Sequence, residues 1–380
     1  MDATYSPKDV FHQDKSDLKQ NCRAGMDFAA QQLKNLVEKK PDFFPMYTLN
    51  GKWKHDTEMW TNWCEGFLGG QLWLMFNYTK DTWWLEKAQH YSRLIEHRKI
   101  DRNVHDLGFL FWTTWKRWYD FSGENNAREV VIEAGKTLAL RFKEKGAYLH
   151  SFVAEESLFI DIMMNVGIIF YAAEQTEDKK LWEVANQHCH TTRRFLVRGD
   201  GSTAHEGIFN PDTGEFLRQS THQGWRGDSS WARGQAWAIY GFGTAYQFSK
   251  DDQFLETAEA CANFFISHTP EHGIPPNDWE EPNRKYRYES SAAAITASGL
   301  LNLSRLTKDS NLSKKYLKFA LKNIRTLLSP EFLAINTAGW EGILKHGIYH
   351  QRKLLGLDES VMWGDYFFLE ALGGILEENR

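Results

Sequence analysis

Two kinds of apolar stretch alternate along this chain. The first is apolar on every face. Residues 157–176, SLFIDIMMNVGIIFYAAEQT, place Leu158, Phe159, Ile160, Ile162, Met163, Val166, Ile168, Ile169 and Phe170 all around a helix of about five turns, which predicts burial on all sides. Asp161 and Asn165 interrupt the run, which is too short for a membrane span. The second kind is amphipathic. In 311–328, Leu317, Ala320, Leu321, Ile324, Leu327 and Leu328 form one stripe, with Lys314, Lys315, Lys318 and Lys322 off it. Between the two kinds runs a short turn with Ser or Thr, followed two residues later by an acid suited to a helix start. This turn recurs at Thr79, Ser122, Thr176, Ser249 and Thr307. A further all-round apolar stretch lies at 363–378, WGDYFFLEALGGILEE, and a helix at about 17–39 would supply its outer partner.

The pattern predicts six helical hairpins, twelve helices in all, with inner helices alternating with outer ones and the termini meeting. We expect an all-α fold, an (α/α)6 barrel forming a single domain over residues 1–380; an open α-solenoid is the other arrangement of such hairpins. Counting back sixteen residues from the turn Ser or Thr reaches Trp63, Asp106, Arg233 and Ser291, and fifteen from Thr176 reaches Asp161. Sixteen helical residues span roughly 24 Å. These positions therefore share one mouth of the ring, at the inner-helix N-termini, together with Trp363, Gly364 and Asp365. The long insertions belong to the same rim: 199–230, with a short β-hairpin turning at Asn210-Pro211-Asp212-Thr213-Gly214, then 270–289 and 329–361.

A net charge of −5 lacks the basic surplus of a general nucleic-acid binder. The 16 Trp residues offer flat apolar faces that suit sugar rings. Cys22, Cys64, Cys189 and Cys261 form no CxxC pair, which argues against a zinc site or a disulfide scaffold. The N-terminal MDATYSPKDVFHQDK has no apolar core of a signal peptide, so a cytoplasmic location is expected, or a periplasmic one if a leader has been removed.

Asp161 is a carboxyl among apolar neighbours, a placement that demands pairing, hydrogen bonding or protonation. With Asp106 at the same rim it supplies the two carboxyls that acid–base work on a sugar requires. The alternative for Asp106 is a helix N-cap, and for Asp161 a carboxylate held by backbone N–H groups. Arg233 is a rim cation suited to fork onto a substrate carboxylate, or to pair with either Asp. His105, His205 and His222 lie near the rim; His105 has no second His at a ligand spacing, so no metal is expected. Trp63, Trp225, Trp231, Trp237 and Trp363 surround the same region. No GxSxG elbow or phosphate-cradling glycine loop is present.

HDLGF at 105–109, FID at 159–161, RFLVRGDGS at 194–202, THQG at 221–224, SWARGQAWAIYGF at 230–242, SSAAAITASGLL at 290–301 and WGDYFFLEAL at 363–372 resemble the unsaturated glucuronyl hydrolases, in the family's order and from about Trp60 to Leu372. The resemblance implies an (α/α)6 barrel acting on lyase-generated oligosaccharides that end in a C4=C5 unsaturated uronic acid. It implies hydration of the vinyl ether, with Asp161 protonating C4 and activating water for C5, and Asp106 orienting or stabilising developing charge. By the same resemblance His105, His205, Thr221, His222, Gln223, Arg233 and Trp237 would line the −1 subsite, Trp63 would stack, and no metal or organic cofactor is implied; the rim residue Trp231 is a further substrate-binding candidate. Residues 145–156 and 339–361 depart from the family's pattern and are expected to set the next sugar and its sulfation.

Three other readings remain open at this point. An unsaturated rhamnogalacturonyl hydrolase would share fold and chemistry. An inverting glycosidase would need its carboxyls about 6.5–9.5 Å apart. A non-catalytic sugar-binding toroid would not need Asp161 in apolar surroundings.

Overall fold

A computed structural model describes residues 18–55 and 62–377. Trp60, the ends of the outermost predicted helices at Asp17 and Glu378, and the polar N-terminal stretch lie outside the described residues.

The helices, in chain order, are α1 (Leu18–Lys39), α2 (Glu65–Thr79), α3 (Thr82–Leu94), α4 (Leu107–Phe111), α5 (Trp115–Ser122), α6 (Asn125–Ala139), α7 (Gly167–Thr176), α8 (Lys179–Leu196), α9 (Ala232–Ser249), α10 (Asp252–His268), α11 (Ser290–Leu306), α12 (Ser310–Leu327) and α13 (Met362–Glu377). Inner helices α2, α4–α5, α7, α9, α11 and α13 pack side by side, and α13 returns to α2, so the ring closes. Each inner helix is backed by an outer one, with α1 behind α13. The barrel prediction holds.

The repeated turn has a physical basis. The Thr or Ser hydroxyl donates back to a carbonyl one helical turn earlier, as in Thr79 to Met75 and Ser249 to Ala245. It also accepts the N–H of the acid two residues on, as at Asp81, Asp251 and Asp309. That acid is the N-cap of the outer helix. Asp81, Asp178, Asp251 and Asp309 accept N–H groups of the first turn. Glu124 caps nothing and accepts from Trp118 Nε1 instead.

Two inner helices depart from the predicted shape. Residues 157–176 are not one helix: Ser157–Phe159 is a strand, Ile160–Met164 a 3₁₀ turn, and only Gly167–Thr176 is α-helical. The Asn165 amide explains the change. It donates to Asp161 O, the carbonyl that a continuous helix would bond to the Asn165 N–H, and it accepts Phe109 N–H from the neighbouring hairpin. The second inner helix breaks at 112–114. Thr113 and Thr114 hydroxyls both bond carbonyls one turn back, and Thr114 takes φ −115° and ψ −83°. The result is thirteen α-helices among the described residues rather than twelve.

Short ribbons decorate the rim: β1 (Tyr47–Leu49) with β2 (Lys52–Lys54), β3 (Phe142–Lys143) with β4 (Tyr148–Leu149), and β8 (Gly347–His350) with β9 (Leu355–Glu359). The predicted β-hairpin is present as β6 (Glu206–Phe209) and β7 (Phe216–Ser220), with β5 (Ser157–Phe159) added alongside β6.

Gly108, at the crossing of the second and third hairpins, has no room for a side chain. A Cβ there would lie 2.5 Å from Asn165 Cα and 3.0 Å from Asn165 O. Gly108→Ala is expected to lower the stability of the barrel by about 3 kcal/mol, read as a lower urea midpoint.

Candidate active site

Asp106 occupies the N-cap position of α4, yet its side chain makes no capping bond, so the carboxyl is left for the cavity rather than the helix. His105 beside it is buried. Its Nδ1 accepts the Phe152 backbone N–H at 3.0 Å. A backbone amide can only donate, so the neutral ring carries its proton on Nε2. That nitrogen faces Asp106 Oδ1 at 3.4 Å. Burial, reinforced by the Arg141 charge, holds His105 well below the usual imidazole range.

The second carboxyl is built in the same way. The pairing of Phe159 with Glu206 carries the FID segment to the end of the three-stranded sheet, where the 3₁₀ turn delivers Asp161. His205 Nδ1 accepts the His222 backbone N–H at 3.0 Å, with Thr221 Oγ1 at 3.3 Å. Its Nε2 faces Asp161 Oδ2 at 3.6 Å, and among the described residues neither atom has a hydrogen-bond partner. The second alternative for Asp161, a carboxylate tied down by neighbouring backbone N–H groups, is therefore not what is built at Oδ2. Each carboxyl looks at the Nε2–H of a neutral imidazole whose other nitrogen is pinned by backbone.

Burial raises the Asp161 carboxyl to about 6, with Arg233 and its own backbone N–H pulling the other way. Burial also raises Asp106 well above the carboxylate range, Asp161 pushes it further, and Arg141 and Arg98 partly oppose. Burial thus disfavours the ionised form of both carboxyls, and at Asp106 the neighbouring Asp161 adds to it.

Arg233 is the second residue of α9 and only 1% exposed. Its guanidinium donates to Ile348 O and Tyr349 O on β8 and to Gln223 Oε1. It lies 4.4 Å over Trp231 and 5.2 Å over Trp363. Among the described residues it forms no ion pair with either Asp, and its charge acts at longer range with the Glu289 and Asp161 carboxyls.

These groups meet in a cavity of about 400 Å³. Of the predicted residues, Trp63, His105, Asp106, Asp161, His222, Gln223 and Arg233 line it. His205 and Thr221 stand behind Asp161 and the His222 loop. Trp231 lies under Arg233. Trp237 is buried between Phe109 and Phe367, at 5.1 and 5.6 Å, outside the cavity lining. Trp63 leans on Trp363 at 4.7 Å. The Trp225 ring lies against Arg226, at 4.3 Å. Six lining residues were not singled out one by one: Phe152, Val153, Phe159, Tyr349, His350 and Lys353. Five of them fall in 145–156 and 339–361, the segments whose divergence drew attention to the next sugar. Phe159 falls in the all-round apolar run and reads in the sequence as a helix-core residue, whereas it lies on the strand that precedes Asp161. Among the described residues no three His, Cys, Asp or Glu side chains are grouped to hold a metal ion.

A closed ring of helical hairpins, with a carboxyl pair and a buried arginine in one aromatic-walled mouth, is the architecture of an (α/α)6-barrel glycoside hydrolase. The Glycosyl Hydrolase Family 88 profile matches residues 44–352, and the chain belongs to that family. It is 33% identical to the unsaturated glucuronyl hydrolase of Bacillus sp. (strain GL1) over 88% of this chain and 92% of that one. It is 32% identical to the unsaturated chondroitin disaccharide hydrolase of Streptococcus agalactiae serotype III (strain NEM316), over 82% and 81%. A solved unsaturated glucuronyl hydrolase specific for heparin superposes with a TM-score of 0.87 at 29% identity, covering 95% of this chain and 97% of that one.

Proposed function

We propose that this chain releases the non-reducing-end C4=C5 unsaturated glucuronic acid from lyase-generated oligosaccharides by hydrating the vinyl ether double bond, with residues 1–380 acting as one catalytic domain. The observation that carries this reading is Asp161: a carboxyl raised to about 6, its Oδ2 unpartnered among the described residues, in an aromatic cavity that Arg233 also lines.

Arg233 and Gln223 receive the uronate carboxylate, and Trp63 supports the ring. The arriving anion and the loss of water both favour a protonated Asp161. Asp161 gives its proton to C4, and the electron pair of the double bond forms the new C–H bond. Positive charge develops at C5 and the ring oxygen, opposite the remaining carboxylate of the pair, Asp106. Water adds to C5 and returns a proton to Asp161, so the enzyme ends as it began. The hemiketal at C5 then opens, freeing the next sugar and a 4-deoxy-5-keto uronate. Phe152 and Val153 on one side and Tyr349, His350 and Lys353 on the other form the walls met by that next sugar. Four free, buried cysteines suit a reducing compartment, and we place the protein in the cytoplasm. No helix among the described residues is long and apolar enough to cross a membrane.

The pH dependence follows in sign. Asp161 must enter protonated, and its carboxyl sits at about 6 in the free protein. kcat/KM is therefore expected to fall about tenfold per pH unit above pH 6. A profile that is flat from pH 5 to 8, or rises across about that range, removes Asp161 as the entering acid.

The test of the function is the ultraviolet absorbance of the conjugated uronate in a panel of unsaturated disaccharides. Absorbance should fall with the purified protein, and the fastest substrate names the polymer. Cleavage of saturated oligosaccharides with the chromophore untouched would replace the hydration reading with an inverting glycosidase.

A further inference from the structure

Arg141 follows α6 and is 5% exposed. Its Nε donates to His150 O at 2.9 Å, its Nη1 to Arg102 O, and its Nη2 to Ser151 O at 2.6 Å, with His150 Nδ1 3.2 Å from Nη2. Among the described residues no carboxylate comes within ion-pair distance of it, although burial of an unpaired cation is unfavourable.

The carbonyls it collects belong to two segments that meet at the candidate site. Arg102 lies three residues before His105. Ser151 immediately precedes Phe152, whose N–H is the group that pins His105 Nδ1. One guanidinium thus joins the loop that carries His105 and Asp106 to the loop that sets the His105 tautomer.

Its charge acts first with the Asp106 carboxyl and then with Asp101, which Arg98 already bonds. The charged and titratable groups acting on or beside Asp106 are Asp161 on the 3₁₀ turn, Arg141 after α6, Arg98 before α4, His105 next in sequence, Cys64 before α2 and Tyr349 on β8. Of the two arginines, Arg98 already bonds the Glu65 and Asp101 carboxylates. Arg141 has only carbonyls and a neutral imidazole.

We propose that Arg141 is a positioning residue for the reaction: it holds the Phe152 N–H on His105, keeps that ring in the Nε2–H tautomer facing Asp106, and supplies the uncommitted positive charge that balances Asp106. The kinetic part rests on the function proposed above; the tautomer part does not.

The test compares Arg141→Met and Arg141→Lys in the full chain, with ring-nitrogen NMR shifts of ¹⁵N-histidine-labelled protein and steady-state kinetics on an unsaturated disaccharide. Arg141→Met should lose the single-tautomer signature of His105 and about thirtyfold or more in kcat, with KM changed by less than about threefold. The loss of a cation raises the carboxyl of Asp106, so the pH limb that reports it should move to higher pH. Arg141→Lys, which keeps the charge but cannot span three carbonyls, should restore that limb and only part of kcat. An unchanged tautomer and kcat in folded Arg141→Met overturns the proposal. If that variant does not fold, the same unchanged pair of readings in Arg141→Lys overturns it. If wild-type protein turns over no unsaturated disaccharide, the proposed function fails, and the His105 signature alone still decides the role of Arg141.

Discussion

Asp161→Asn is expected to abolish turnover, with kcat at least about 10³-fold below wild type and affinity for the unsaturated disaccharide retained within a few fold. The amide keeps the size and polarity of the side chain but has no proton of suitable acidity for C4 and no lone pair basic enough to take one from water. Ground-state contacts from Arg233, Gln223 and Trp63 are untouched, so the loss should fall on kcat. Folding supplies the control. The folded carboxyl, at about 6, lies above its unfolded value, so its stabilising contribution is full in acid and is lost as pH rises through about 6. Above that pH the ionised, desolvated Asp161 weighs against the folded state. Asp161→Asn should then be as stable as wild type or more so, by up to about 3 kcal/mol. A variant that melts lower at pH 8 and binds substrate poorly would mean that Asp161 is structural. A variant that binds normally but turns over within about tenfold of wild type would leave the acid unidentified.

The fold was legible because the ring repeats one local device. The hydroxyl–acid turn at Thr79, Ser122, Thr176, Ser249 and Thr307 can be read as letters, and counting back from it brings Trp63, Asp106, Asp161, Arg233 and Ser291 to one mouth. What could not be read was where a helix yields to tertiary bonding. Asn165 looks like an interruption in an apolar run; its role appears only when Phe109 N–H, from another hairpin, is seen to use its oxygen. The same limit hid the far wall of the cavity. Tyr349, His350 and Lys353 lie on a ribbon of low periodicity, and tertiary bonds bring it over the site: Arg233 to the carbonyls of Ile348 and Tyr349, and Arg352 to those of Thr221 and Trp225. His205 shows the reverse case: the residue was singled out, but its position behind Asp161, with Nδ1 held by the His222 amide, depends on the register of the sheet.

Asp106→Asn tests whether the two carboxyls act as a unit, and kcat is expected to fall by about 10²–10³. The variant retains the shape and a donor toward the sugar, so a purely orienting Asp106 would lose little. The greater loss follows from charge. In the proposed reaction the pair supplies one proton, from Asp161, and one negative charge, on Asp106, and both are used when C4 is protonated and C5 becomes electron-poor. With Asn at 106 the proton can still be delivered, but nothing anionic remains opposite the developing cation in a low-dielectric cavity. His105 Nε2–H would then face an amide instead of an acceptor carboxylate, which further disfavours positive charge nearby. The double variant separates the effects. If Asp106 acts only through Asp161, then Asp106→Asn should add nothing to the loss already produced by Asp161→Asn. Independent action would give losses that multiply. We expect the non-additive result, because a carboxylate that stabilises a cation has no work to do when no proton has been transferred to make one.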